Sequence, residues 1–211
     1  MRSRKKKSTP QRLIELKERF IDVENCEILD LGEIFSNDNP AHIEIGAGKG
    51  RFITELSVKN PNINYIAFEK NSDIIAVAAA KAENNPNLRF INADAEILER
   101  IFSENNIARI YLNFSDPWPK NGYRRRRLTH RRFLEKYKFI LNNTGEVHFK
   151  TDNRKLFEFS LLEMAEFNMK FNLVTFDLHK EHPENNILTE YEEKFSQMGT
   201  KINKLISKFY M

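Results

Sequence analysis

A single cysteine, Cys26, stands in 211 residues. That excludes an internal disulfide and, with no CxxC pair, any cysteine-built zinc or iron–sulfur site. The five histidines are scattered without metal spacing such as HxxxH, so no metal ligand is assigned. No stretch reaches the roughly 18–20 uninterrupted apolar residues of a membrane helix, and no apolar run follows the basic start as a secretory signal requires. The expectation is a cytoplasmic protein without a membrane partner, a monomer or homodimer. What the chain does have is a sizeable apolar fraction, 40% with 17 phenylalanines, enough to build the core of one domain.

The net charge of +4 conceals a division. Arg2, Arg4, Lys5, Lys6 and Lys7 form one basic cluster, and Arg124, Arg125, Arg126, Arg127, Arg131 and Arg132 a second. Removing those eleven leaves about −7 for the rest of the chain, an acidic body with two basic patches. Such a distribution points to a polyanionic partner.

Apolar periodicity divides the chain into alternating elements. Residues 1–10 form a basic arm, and 12–20 carry Leu13, Leu16 and Phe20 at helical spacing. Strands are expected at 42–45, 65–68, 88–92, 109–114, 146–150 and 173–178, with a final one at 202–208. Helices are expected at 50–58, 72–82, 95–102, around 133–141, at 156–167 and at 191–198. Strands separated by helices require crossovers, so the fold class is α/β: a doubly wound, mostly parallel sheet of seven strands with helices on both faces. The expected division is an arm and amphipathic helix over 1–35, then one domain over 36–211.

In such sheets ligands bind beyond the carboxyl ends of the strands. Five successive strand ends carry an acid: Glu44, Glu69, Asp94, Asp116 and Asp152. Any one of them suits a helix cap or a turn. Five in one crevice repel each other unless a cation or several hydrogen-bond donors sit among them. The first strand runs into Gly46-Ala47-Gly48-Lys49-Gly50, a glycine loop that lets the backbone approach a ligand, and Glu69 at the next strand end suits a ribose diol. Arg51 occupies the place of the third glycine of the dinucleotide pattern, and no Gly-Lys-Ser/Thr follows a four-residue gap as in a P-loop. Glu44 beside the loop repels a pyrophosphate and attracts the ammonium and sulfonium of S-adenosylmethionine.

The most specific stretch is Asn113-Phe114-Ser115-Asp116-Pro117-Trp118-Pro119-Lys120, followed by Arg124–Arg127. Its prolines restrict the backbone at the mouth of the fourth strand, and the only tryptophan lies between them beside a carboxylate and a lysine. Stacking and edge hydrogen bonds hold a base there while arginines neutralise phosphates.

These residues resemble the tRNA (guanine-N7)-methyltransferases, within the Rossmann-like class I S-adenosylmethionine enzymes. The resemblance covers most of residues 40–205 and rests on Glu44–Gly50, Asn113–Lys120 with the arginines after it, Thr151-Asp152, and Thr189–Phe195. It implies that Glu44, Gly46, Gly48, Glu69, Asp94 and Asp116 bind S-adenosylmethionine and that Asp116 is also catalytic. It assigns Lys120, Asp152, Thr189, Glu190, Tyr191 and Glu192 to the substrate. Gly122, Tyr123, Arg124, Arg125, Arg126 and Arg127 match a segment assigned to tRNA contact, where a histidine is usual in place of Tyr123. The implied product is 7-methylguanosine in the tRNA variable loop.

Guanine N7 carries a free lone pair, so methylation there needs no base to remove a proton. An acid near the purine stabilises the charge that transfer creates. Thr189 followed by Glu192 three residues later also reads as a helix-capping pair. Two alternatives stay open: an exocyclic-amine methyltransferase, against which the order Asp-Pro-Trp-Pro counts, and an RNA-binding module of the same fold without turnover.

Overall fold

Ala41–Ile45 (β1) and Asn64–Phe68 (β2) are buried at every position, the burial of strands covered on both faces. The computed structural model describes residues 9–210 apart from 25–26, 83–84, 183, 185 and 197. The basic cluster Arg2–Lys7 and Cys26 lie outside the described residues. The remaining strands are Leu88–Ile91 (β3), Ile107–Asn113 (β4), Leu141–Thr151 (β5), Met169–Thr175 (β6) and Asn203–Phe209 (β7). They form one sheet in the order β3-β2-β1-β4-β5-β7-β6. Neighbours from β3 to β5 pair in parallel, and β7 runs antiparallel to both β5 and β6. The strand order reverses between β1 and β4, and the crevice opens at that point.

The helices are Thr9–Glu15 (α1), Leu31–Phe35 (α2), Arg51–Lys59 (α3), Ser72–Lys81 (α4), Leu98–Ile101 (α5), Arg131–Ile140 (α6), Arg154–Glu166 (α7), Leu178–Glu181 (α8) and Glu190–Ser196 (α9). Side-chain caps begin several of them: Asn71 accepts from the Asp73 and Ile74 amides at α4, and Asn153 from Leu156 at α7, satisfying donors that the first turn leaves free. One face of the sheet packs Ile43, Ile110, Val147 and Phe149 against Leu98, Phe133, Tyr137 and Phe157. The other packs Tyr65, Ala67 and Phe90 against Phe52, Ile75, Ala78 and Ala79. Gly50 lets α3 start directly on α4, for its φ is +80° and an added Cβ would stand 2.8 Å from the Ala78 Cβ.

Four expectations need correction. The helix anticipated over 12–20 ends at Glu15; after a 3-10 turn at Lys17–Arg19, Phe20 forms a parallel bridge to Phe90 and caps the edge of β3. Residues 95–102 divide into a 3-10 turn, Ala95–Ile97, and the single turn of α5. β5 starts at Leu141, five residues early, because Leu141 pairs with Ile107 across an irregularity in β4. β6 lies four residues earlier at its start than anticipated: antiparallel pairing fixes it from Met169↔Phe209 to Thr175↔Lys204. Phe176 is left exposed and Leu178 opens α8.

Candidate active site

The carboxyl ends of β1 to β4 surround a cavity of about 500 Å³, bordered by Gly46, Glu69, Asp94 and Asp116 and, opposite, by Phe114, Trp118 and Arg126. Gly46 has φ +80° and open space where a side chain would project, so a ligand can approach the backbone there. Glu69 is already oriented: its carboxylate accepts from the Asn71 amide at 2.8 Å and the Gly48 amide at 3.3 Å. Asp94 caps the 3-10 turn through the Glu96 amide, and the Lys70 ammonium lies 3.9 Å away. Asp116 is exposed to the cavity and forms no ion pair among the described residues.

Glu44 lies beneath the loop rather than on the cavity wall. It is 2% exposed; Oε1 accepts from the Asn113 side-chain amide at 2.7 Å, and the buried Oε2 has no partner among the described residues. Burial pushes its pKa up to about 7, opposed by the Asn113 hydrogen bond and the Lys150 charge. An orphaned buried carboxylate oxygen calls for a donor or a cation. The Ser115 hydroxyl nearby is likewise buried and unpartnered. With open backbone at Gly46 and acids at Glu69 and Asp94, these atoms fit a nucleoside ligand that carries an ammonium group.

The loop after β4 is fixed at both ends. Phe114 and Trp118 take φ of +51° and +40°, a costly conformation for bulky residues that its surroundings must hold. The Phe114 amide donates to the Lys150 carbonyl at 2.8 Å. Arg127 donates to the carbonyls of Pro117 and Trp118, both at 3.0 Å, and lies over the Phe159 ring. Arg126 stacks on Trp118 and Tyr123, 4.9 and 5.0 Å from the ring centroids. Arg124 and Arg125 are exposed, without ion pairs among the described residues. One arginine run thus has three structural settings: loop clamp, aromatic stack and free charge. Gly122 and Tyr123 lie with Arg124 to Arg126 in the 3-10 turn Asn121–Arg126, and Lys120 precedes it, exposed.

A second wall rises beyond Phe114. Asp152 follows β5 and accepts from the Tyr191 hydroxyl at 3.1 Å; burial, then Asp152, push the Tyr191 pKa up. The Tyr191 ring stacks on Phe195 and contacts Phe114, with centroids 4.2 and 5.0 Å apart. Thr189 accepts from the Glu192 amide at 2.9 Å, capping α9, while Glu190 pairs with Lys81 at 3.1 Å. Glu192 is fully buried and turns away from the cap toward Lys150, 2.6 Å from its ammonium. Burial alone would raise its pKa; Lys150, His179 and Asn186 outweigh it and hold it below the usual range.

The cavity therefore unites Gly46, Glu69, Asp94 and Asp116 with Trp118 and Arg126. Glu44 and Gly48 sit just behind it, while Lys120, Asp152 and Thr189–Glu192 do not border it. Lys150, His179 and Asn186 were not singled out from sequence. Lys150 lies 42 residues from Glu192, and a lone lysine in a strand gives no signal of its own. Among the described residues no group of three or more His, Cys, Asp or Glu side chains is arranged to hold a metal ion, and no helix is long and apolar enough to cross a membrane.

Residues 38–205 match a family model described as "Putative methyltransferase". Over 179 residues the chain is 49% identical to a tRNA (guanine-N(7)-)-methyltransferase of Lysinibacillus sphaericus, covering 83% of each chain. It is 52% identical to one of Listeria monocytogenes, covering 84% of each. Among solved structures, an antibiotic-related methyltransferase superposes with a TM-score of 0.64 at 18% identity, covering 92% of this chain and 98% of that one. The 16S rRNA methyltransferase KamB gives 0.64 at 13%, covering 92% and 99%. At such identities the structural likeness speaks for the fold alone.

Proposed function

Because the chain belongs to the tRNA (guanine-N7)-methyltransferase family, we propose that it methylates N7 of a guanine in the tRNA variable loop, using S-adenosylmethionine. The observation that carries this assignment is Asp116. It borders the cavity from a loop pinned by the Lys150 carbonyl and Arg127, free of any ion pair among the described residues, so its charge is available to the reacting groups.

When bound, S-adenosylmethionine supplies an electrophilic methyl group. Glu44 offers its unpartnered Oε2 to the ammonium, and Glu69 presents a pre-oriented carboxylate to the ribose hydroxyls. Asp94 with Gly46 and Gly48 completes the nucleoside side of the pocket. The guanine lone pair needs no general base. Asp116 stabilises the positive charge that grows on the purine, from a loop whose backbone is already held in place. Lys120, Asp152 and Thr189–Tyr191 hold the base, and Gly122–Arg126 follow the RNA backbone while Arg127 braces their loop. Variable-loop guanine supports this chemistry because stacking and groove depth hide N7 within an RNA duplex.

Residues 36–211 form the methyltransferase domain. The 1–35 segment leads into it: Val23, Leu29 and Phe35 join the core and α1 lies against α4. The protein works in the cytoplasm, beside its substrate, as a monomer or homodimer. The test is transfer from labelled S-adenosylmethionine to unmodified tRNA transcripts, with mass spectrometry locating the label. The expected product is 7-methylguanosine, lost when 7-deazaguanine replaces the variable-loop guanine. Label on another atom, or none while both ligands bind, would overturn the proposal.

A further inference from the structure

Lys150 is 3% exposed and Glu192 is fully buried, so both charges have left water. Removing ions from water is costly, and apolar pairs often replace a buried ion pair with no loss of stability. A geometric role is therefore the more telling one. The ammonium has three hydrogens, and three acceptors lie on one segment: Glu192 Oε2 at 2.6 Å, the Ile187 carbonyl at 3.0 Å and Asn186 Oδ1 at 3.3 Å. Glu192 is equally committed. Its Oε1 accepts from Asn186 Nδ2 at 2.7 Å and lies 2.8 Å from His179 Nε2. All three ammonium hydrogens have acceptors and both carboxylate oxygens are engaged within the protein. The backbone of the same lysine serves the other wall, its carbonyl accepting from the Phe114 amide at the start of the Asp116 loop.

We propose that Lys150 and Glu192 are a positioning pair, a buried latch that holds α9 at the mouth of β5 and sets it in register with the Asp116 loop at the mouth of β4. The contacts between the walls follow from it: Tyr191 reaches both Asp152 and Phe114 only while α9 is docked. Glu192, grouped with the substrate by family resemblance, acts through the helix. This inference rests on the active-site assignment above for its kinetic arm alone.

The test is a double-mutant cycle of Lys150→Met, Glu192→Met and the pair. The double variant leaves no lone buried charge and keeps the test decisive if a single variant does not fold. In the free double variant, with a cooperative melt retained, amide exchange over residues 190–196 should accelerate by at least ~10-fold. In the kinetic arm kcat should fall by roughly 30-fold or more with a tRNA KM changed much less, and each single variant should lose no less than the pair. Exchange at the wild-type rate in the double variant overturns the latch. A Glu192→Met loss that adds to the Lys150→Met loss does so too, for it gives Glu192 a contact of its own with substrate. If the wild type makes no 7-methylguanosine, the proposed function fails while the exchange arm still judges the latch.

Discussion

Cofactor affinity should depend on pH through Glu44. Its folded pKa of about 7 reflects burial that neither Asn113 nor Lys150 fully offsets, and a bound ammonium favours the ionised form. A proton therefore competes with the cofactor. For a group of pKa about 7 the apparent dissociation constant rises by 1 + 10^(7−pH), about 30-fold at pH 5.5 and about 1.3-fold at pH 7.5, a ratio of roughly 25. Titration calorimetry with S-adenosylhomocysteine between those pH values measures it. The control is 5′-methylthioadenosine, which lacks the ammonium and should bind with little pH dependence. The same shift acts on stability with a definite sign. A carboxyl whose folded pKa is raised binds more protons folded than unfolded, so the free protein loses stability as pH rises from the unfolded pKa through about 7, by about 3 kcal/mol in all. Glu44→Gln should abolish the affinity slope and stabilise the free protein above pH 7. A flat wild-type profile, or a slope that survives Glu44→Gln, would refute the assignment of Glu44 to the ammonium.

Asp116→Ala should lower kcat by ~10²-fold or more with an unchanged melting curve, since the exposed side chain holds no ion pair; single-turnover assays and calorimetry check the two halves. The arginine run should separate by role. Arg124→Ala and Arg125→Ala should weaken tRNA binding and lower its salt slope by about one each, as phosphate contacts do. Arg127→Ala should instead lower thermal stability, by about 1–3 kcal/mol for two lost hydrogen bonds and the Phe159 contact, and normal stability would remove the clamp assigned to it. Gly50→Ala should cost about 2 kcal/mol or more, from positive φ and overlap with Ala78; a melt within 0.5 kcal/mol of wild type would mean that α3 and α4 separate easily.

Much of the architecture was legible because most strands here are short apolar runs between turn signals. Those from 42–45 to 109–114 fell within two residues of their observed ends, since strands covered on both faces are rich in apolar residues. β6 was not legible: Asn172 and Val174 are exposed while Met169 and Thr175 are buried, and its extent is set by β7 rather than by its own pattern. At the site, the acids and glycines announced themselves by their positions after the strands. The depth of Glu44 did not, because burial depends on what covers β1. The Lys150–Glu192 pair was invisible for another reason, being joined across 42 residues by folding alone. Nor does a run of arginines disclose that one of them clamps carbonyls while its neighbour stacks on tryptophan.

The late position of β7 in the chain governs when the sheet can be completed. β7 lies between β5 and β6 and, among the described residues, is the only strand paired with β6. Until residues 203–209 leave the ribosome, β5 has an unpaired edge and β6 has no neighbour, the condition in which nascent strands recruit wrong partners. A chain cut before Asn203 would retain the glycine loop, all five strand-end acids and α9, yet remain locked in that unfinished state. Insertion of β7 between β5 and β6 is thus the step that commits that side of the sheet to folding.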